Sequence, residues 1–189
     1  MLDTIDQIRA DVVRRLRAGA SDRKSGMHTG VVATADADAR VMVLRDFDNG
    51  NWTLRFHTDA RAPKVDTIGK GAPIGVLFYD REAKLQIRCR GTGRIEREGP
   101  IAEAAWAEST EFARRCYVGE APGAPANGPT SGLPEWIEGV NPSPEQVAPA
   151  RPNFAVLLVS VAEADWFHLS NDGHRRAIVT QDGGRWVAP

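Results

Sequence analysis

The feature that most constrains the fold is a β-hairpin pattern near the start of the chain. Residues 40–46 are apolar in their middle, and a polar stretch containing Asn49-Gly50 separates them from the run 52–58. Asn-Gly between two such runs is a strong hairpin signal. Every second residue of the later run is apolar, starting at Trp52, which is the period of a strand with one buried face. The pattern predicts antiparallel strands around a core.

Further apolar or alternating runs predict strands at 27–35, 72–80, 85–97, 153–166 and 174–180. Helical spacing or a suitably placed proline predicts helices at 1–18, 59–69 and 100–114, the last with Ile101, Ala105 and Phe112 facing inward. Gly91 and Gly93 are expected to bend the long strand that contains them. The predicted fold class is mostly β: a small antiparallel barrel of about six strands with flanking helices.

Residues 118–152 contain eight of the twelve prolines, which excludes a long regular element there. A loop of this length inside a compact domain is typically a functional lid or a disordered insertion, and the sequence leaves both possibilities open. The chain of 189 residues is expected to form one domain, 1–189.

Composition narrows the function classes. A formal net charge of −1 gives no general attraction to nucleic acid, and no aromatic platform for bases is apparent. The isolated cysteines, Cys89 and Cys116, predict neither a disulfide framework nor a metal site. The N-terminal helix is amphipathic and lacks the apolar stretch of a secretory signal, and no run has membrane-spanning length. A cytoplasmic location is therefore expected.

Basic residues at strand ends suggest a phosphate site. Arg40 and Arg45 bracket one predicted strand, and Lys64 lies in the first turn of a predicted short helix. Any one of these cations, taken alone, is typical of a solvated surface. Together, their order along the chain is informative.

With other residues, these cations form an ordered set that resembles the pyridoxamine 5′-phosphate oxidase family. The match runs from about residue 27 to 189, apart from the long loop. It consists of Arg40-Val-Met-Val-Leu-Arg45, Phe56-His57-Thr58-Asp59, Lys64, Gln86-Ile-Arg88, Trp166, His174-Arg-Arg176 and the ending Trp186-Val-Ala-Pro189.

The resemblance implies a homodimeric split barrel with one FMN in each of two clefts at the subunit interface. It implies that Arg40 and Lys64 hold the FMN phosphate with help from Thr58, and that Gln86 reaches the ring edge. His57 stands where an aromatic hydroxyl residue is common in the family. The remaining implied contacts are the strand along the flavin ring (Val41, Met42, Val43, Leu44 and Arg45) and, from the other subunit, Trp166 and Arg176.

The resemblance also implies an FMN-dependent oxidoreductase in which Arg45 and His174 orient the substrate. Asp172 stands where the family's enzyme has a phosphate-binding arginine, and Trp106, Thr110 and Arg114 do not reproduce its substrate-binding helix. An acid at that position repels a phosphate, so a substrate other than pyridoxamine 5′-phosphate is expected.

Two alternatives stay open at this point. One is a haem- or deazaflavin-binding protein of the same fold, and the other is a non-enzymatic, stress-related FMN-binding module.

Overall fold

The computed structural model describes residues 2–189 as eight strands and five short to medium helices, with three short 3₁₀-helices. The strands are β1 (Thr29–Thr34), β2 (Ala39–Asp48), β3 (Thr53–Asp59), β4 (Ala72–Asp80), β5 (Leu85–Glu96), β6 (Phe154–His168), β7 (Arg175–Val179) and β8 (Gly184–Val187). The helices are α1 (Ile5–Ser21), α2 (Pro63–Ile68), α3 (Pro100–Glu108), α4 (Glu111–Arg114) and α5 (Pro144–Val147).

The strands form one antiparallel sheet that closes on itself. Its order is β3-β2-β1-β4-β5-β6-β7-β8, and an additional pairing of β3 with β6 completes a six-stranded barrel. The predicted barrel is confirmed, including the hairpin between β2 and β3. Strands β7 and β8 extend the sheet beyond the barrel, and the sequence had predicted no separate strand for β8.

Strand β6 makes closure possible because its two halves have different partners on one edge. Residues 154–160 pair with β3 and residues 164–168 pair with β7, while the other edge of β6 pairs with β5 along almost its whole length. The β5 register shifts between Arg90 and Gly91, where a Cβ on Gly91 would lie 2.0 Å from the Ser160 carbonyl oxygen. The predicted bend at Gly91 is confirmed, and close strand approach requires glycine there.

Helix α1 covers one part of the barrel. Thr4 and Gln7 form a capping box at its start. Its apolar stripe of Ile8, Val12 and Leu16 is buried in the same core as Phe56, Phe78 and the other inward residues of the strands. Within the described residues, no helix is both long and apolar enough to cross a membrane.

The predicted helix 100–114 is interrupted. Helix α3 ends at Glu108, and the Thr110 side chain accepts a hydrogen bond from Ala113 N to begin α4. The predicted inward face was wrong for Ile101 and Phe112, which are 38% and 54% exposed. Ala105 is buried as predicted, and it faces β6 together with Ala102, because these small residues let the α3 backbone approach the strand closely.

The proline-rich segment 118–152 is a loop over residues 118–134, as predicted, and forms short helical turns between residues 135 and 152. Ile137 and Val147 are fully buried, so the segment has apolar contacts of its own. Arg61, just before the short helix α2, connects the segment 118–152 to the barrel. Its guanidinium donates to both carboxylate oxygens of Asp59, at 3.0 and 2.8 Å, and to the Gly119 carbonyl at 3.0 Å.

We predict that Arg61→Ala lowers the free energy of unfolding by about 1–3 kcal/mol, because it removes an ion pair and leaves the buried Asp59 without its partner. Limited proteolysis should cleave within 118–152 faster than in the unchanged protein. Arg97→Ala is the control, since Arg97 is largely exposed and its ion pair to Asp66 is 3.9 Å long. Equal cleavage rates for the two variants would contradict this anchoring role.

Candidate functional site

Two cations, Arg40 on β2 and Lys64 on α2, lie close enough to influence each other. The Arg40 guanidinium pairs with Asp38 and donates to Thr34 Oγ1 at 3.0 Å. Lys64 is half-buried and forms no ion pair within residues 2–189. Burial lowers the pKa of Lys64 and the Arg40 charge lowers it further, against the opposing effect of Asp59 and Asp38. Since Asp38 pairs with Arg40 and Lys64 has no ion-pair partner in the described chain, the two cations keep excess positive charge.

Thr58, expected to assist at the phosphate, is 5% exposed in β3. Its hydroxyl lies 3.5 Å from the Asp59 carbonyl oxygen, a weak interaction that leaves its bonding capacity mostly unused.

The residues of β2 alternate between the two faces of the barrel. Met42 and Leu44 are 7% and 0% exposed in the core, so any cofactor contact they make is through the backbone. Val41 is 67% exposed on the outer face, which Val43 and Arg45 share. Arg45 falls at the register shift between Leu44 and Asp46, and it forms no ion pair within the described residues.

The outer face of the barrel carries an exposed apolar strip, formed by Val41, Val31 and Leu77 in direct register on β2, β1 and β4. The same row continues through Arg88 and Asp165 on β5 and β6. An apolar strip on a sheet face without a covering helix is typical of a surface that packs against another chain.

Gln86 and Arg176 lie together in the neighbouring row of this face. Gln86 is opposite Phe167, and Phe167 is opposite Arg176. The Arg176 guanidinium donates to Asp165 Oδ1 at 3.0 Å and to Oδ2 at 2.8 Å. Arg88 also pairs with Asp165, whose side chain is fully buried.

These bonds determine the ionisation of Asp165. Burial opposes its negative charge, but hydrogen bonds and charges from Arg176 and Arg88 outweigh burial and lower its pKa. Neither Asp165 nor its pairing was predicted from the sequence. A carboxylate between the strand residues Ala164 and Trp166 was the available signal, since a charge in a buried strand needs a partner.

Trp166 lies on the opposite face from Asp165, in the protomer's own core. It is 4% exposed, and its Nε1 donates to Asp11 Oδ2 of α1 at 2.9 Å. This placement satisfies the indole within one chain, so we assign Trp166 to packing between α1 and β6.

His174, predicted to orient substrate, is exposed at the start of β7. Its Nδ1 accepts a hydrogen bond from Ser170 N at 3.2 Å, and its ring packs edge-on against Phe167 at 5.8 Å. His174 and Arg176 line a surface cavity of about 330 Å³ with Asp3, Arg175, Trp186, Val187 and Pro189. The other predicted substrate residue, Arg45, lies on β2, which is not a neighbour of β7 in the sheet.

His57 lies on β3 in a site that favours its neutral form. Burial lowers its pKa to about 3, and the charges of Arg45 and Arg55 contribute. Its ring packs edge-on against Phe154 at 5.0 Å, and its Nε2 is buried without a hydrogen-bond partner in the described chain.

Phe154 joins His57 to two residues whose role was not predicted, Tyr117 and Trp106, with ring centroids 5.2 and 5.4 Å away. Burial raises the pKa of Tyr117. Arg45 thus stands beside an aromatic cluster built from β3, β6 and the end of the α3–α4 segment.

Within residues 2–189, no group of three or more His, Cys, Asp or Glu side chains is arranged to hold a metal ion.

Comparison with known families addresses the resemblance directly. Residues 15–97 match the family model described as pyridoxamine 5′-phosphate oxidase, FMN-binding domain. Over this range, the predicted resemblance to the FMN-binding family is confirmed. The matched range contains Arg40, Arg45, His57, Lys64 and Gln86. Among curated proteins, no relative matches the chain.

Solved structures support the fold over nearly the whole chain. A pyridoxamine 5′-phosphate oxidase-related, FMN-binding protein from Nostoc punctiforme superimposes with a TM-score of 0.74 at 22% identity, covering 96% of this chain and 97% of that one. PhzG from Burkholderia lata, solved with tetrahydrophenazine-1-carboxylic acid, gives 0.61 at 17% identity, covering 96% and 88%. A general stress FMN/FAD-binding protein from Xanthomonas citri gives 0.54 at 13% identity, covering 88% and 92%. At these identities the likeness establishes the split-barrel fold.

The buried, neutral His57 predicts an acid-dependent loss of stability. The unfolded chain takes up a proton on this histidine below its ordinary pKa of 6.5, whereas the folded chain does so only near 3. The ionisation of His57 therefore does not change the free energy of unfolding above pH 6.5, and it lowers this free energy as the pH falls from 6.5 towards 3. We expect His57→Gln to reduce the slope of unfolding free energy against pH by up to about 1.4 kcal/mol per pH unit in this window.

Chemical denaturation at a series of pH values measures this slope. His168→Gln is the control, because it makes the same chemical change at a half-exposed strand end. If the two variants show the same pH dependence, His57 is not held neutral by the fold.

Proposed function

We propose that this chain is a homodimeric flavoprotein that holds FMN through Arg40 and Lys64 and acts as a flavin-dependent oxidoreductase. The observation that carries the proposal is the pair of neighbouring cations, Arg40 on β2 and Lys64 on α2, with Lys64 lacking a carboxylate partner within residues 2–189. The FMN phosphate carries two negative charges, and two adjacent cations suit such a group.

The site fits the remaining parts of FMN as well. A flavin ring is flat and largely apolar with polar edges, and the outer face of β2 presents the exposed side chain of Val41 beside the half-buried Val43. Gln86 offers an amide for the ring edge, and Arg176 offers a cation, which we assign to the cleft of the partner copy. When bound, FMN supplies the capacity to accept or donate a hydride.

The division of the site between strands favours a dimer. Strands β2 and β5 are separated by β1 and β4, which places Arg40 and Gln86 on strands about 14 Å apart at the usual strand spacing. Two copies packed through the apolar strip of Val31, Val41 and Leu77 would bring Arg176 of one copy over the FMN face of the other. The same packing would cover the apolar strip and close the proposed FMN cleft between the two copies.

Arg45 is the residue that we assign to substrate orientation, with His174 in the same role from β7. Arg45 is exposed, lacks an ion-pair partner in the described chain and stands beside His57, so it is free to bind an anionic group. Asp172, in the turn before His174, adds a negative charge where a phosphate-binding arginine is expected in the family. We therefore propose a substrate other than pyridoxamine 5′-phosphate, with hydride passing between it and the bound FMN and no protein nucleophile.

The two free cysteines agree with the reducing, cytoplasmic location expected from the sequence. A non-enzymatic FMN carrier is the outcome to distinguish from an enzyme. Bleaching of the bound flavin by a candidate substrate, followed by its reoxidation, supports the oxidoreductase; binding without redox exchange favours the carrier.

The phosphate site is tested by removing its cations. Loss of one charged contact costs about 1.5–3 kcal/mol, so Arg40→Ala and Lys64→Ala should each weaken FMN binding roughly 10- to 150-fold with the fold retained. Quenching of FMN fluorescence on titration with protein measures the dissociation constant, and circular dichroism checks the fold. Lys70→Ala, at an exposed lysine just after α2, is the matched control. If a variant that carries both Arg40→Ala and Lys64→Ala binds FMN as tightly as the unchanged protein, the phosphate binds elsewhere.

Dimer formation is tested on the apolar strip. Val41→Asp places a charge at the most exposed position of the strip, and we expect light scattering to show a monomer with impaired FMN binding. Val140→Asp makes the same change at a valine that is 50% exposed in the 118–152 segment, and it should remain a dimer. A dimeric Val41→Asp protein would show that the copies associate through another surface.

A further inference from the structure

The most unusual electrostatic feature of the outer face is a buried carboxylate between two arginines. Asp165 is 0% exposed although it lies on the outward side of β6. Arg176 binds both of its oxygens, at 3.0 and 2.8 Å, and Arg88 binds one of them from β5. We call Arg88, Asp165 and Arg176 the arginine–aspartate triad; its net charge is one positive unit.

Through Arg176, the triad belongs to the part of the face that we assign to the FMN cleft of the partner copy. Arg176 is directly opposite Phe167, which is directly opposite Gln86. The Arg176 guanidinium also lies 5.9 Å from the Phe167 ring. The Arg176 guanidinium is therefore held by Asp165 on one side and by the Phe167 ring on the other. By contrast, Arg88 Nε is buried without a hydrogen-bond partner in the described chain.

Resting on the proposed function, we infer that Asp165 is a positioning residue that fixes Arg176 towards the FMN site and sets the redox potential of the flavin by neutralising part of the triad's positive charge. Reduction of a flavin by two electrons with uptake of one proton adds one negative charge to the ring. A nearby cation stabilises the reduced form, and a neutralised cation does so less.

The ionisation of Asp165 supports this role. Its pKa is lowered by the two arginines despite burial, so the carboxylate stays charged at neutral pH. The Asp165 bond also raises the pKa of Arg176. The triad therefore keeps one defined charge state while the flavin cycles between its oxidised and reduced forms.

Two substitutions change the triad's charge in opposite directions. Asp165→Asn raises it from one positive unit to two, and Arg88→Met lowers it to zero while Asp165 keeps its bonds to Arg176. We expect the midpoint potential of bound FMN to become more positive in the first variant and more negative in the second. Opposite signs are a signature that a purely structural role of Asp165 does not produce.

The experiment is a spectroscopic redox titration of the FMN-loaded protein against reference dyes. Glu163→Gln is the matched control, because Glu163 pairs with Arg90 on the same two strands but at a more exposed position. The midpoint potential of FMN bound to this variant should match that of FMN bound to the unchanged protein. FMN fluorescence quenching and light scattering confirm that each variant binds flavin and keeps its oligomeric state.

The outcomes separate this inference from the proposed function. Shifts of opposite sign support it. Unchanged potentials, or shifts of the same sign, in variants that still bind FMN overturn it while leaving the FMN site intact. Failure of the unchanged protein to bind FMN overturns the proposed function instead. If Asp165→Asn does not fold, the sign of the Arg88→Met shift decides alone.

Discussion

The pairing of β6 with three other strands is the interaction on which the rest of the structure depends. One edge of β6 follows β5, while the other edge is shared between β3, which closes the barrel, and β7, which leaves it. Gly91 permits this exchange because only a residue without Cβ lets β5 bend so close to Ser160. Closure places the inward residues in one core and leaves on the outward face a row of side chains that runs in register from β2 to β7. The proposed cofactor and dimer surfaces are both parts of that face.

Local sequence pattern was sufficient to predict most of this architecture. The Asn49-Gly50 turn, the alternation from Trp52 and the bend at Gly91 each depend on residues close in sequence, and each was confirmed. The inward face of the segment 100–114 was predicted correctly at Ala105 and wrongly at Ile101 and Phe112, because hydrophobicity favoured those two side chains. Close packing against β6 selects the small side chains Ala102 and Ala105 instead. The turns within 118–152 depend on contacts with distant residues such as Arg61, which no local pattern reports.

The candidate site was less predictable, because its members come from separate strands and from two faces. Arg40 and Lys64 are neighbours in space as the family resemblance implied, and burial of Lys64 adds an observation that sequence lacks. Trp166 shows the opposite case. A tryptophan near the end of a strand suits a flavin pocket and a core equally well, and only the hydrogen bond to Asp11 of α1 distinguishes them. Side-chain direction on a strand reverses with each residue, so the face decides the role.

The proposed FMN site therefore contains two kinds of positive charge with different consequences. Lys64 and Arg45 have no ion-pair partners within residues 2–189, so they retain the charge needed to attract an anion. Arg176 is held by Asp165, which fixes the orientation of its guanidinium and reduces the attraction of this cation for an anion. A phosphate is bound mainly by net charge, whereas a ring that gains charge on reduction responds to the position and degree of neutralisation of a nearby cation. In the proposed site, free cations at one end hold the phosphate, while the partly neutralised cation at the other end sets the potential of the ring.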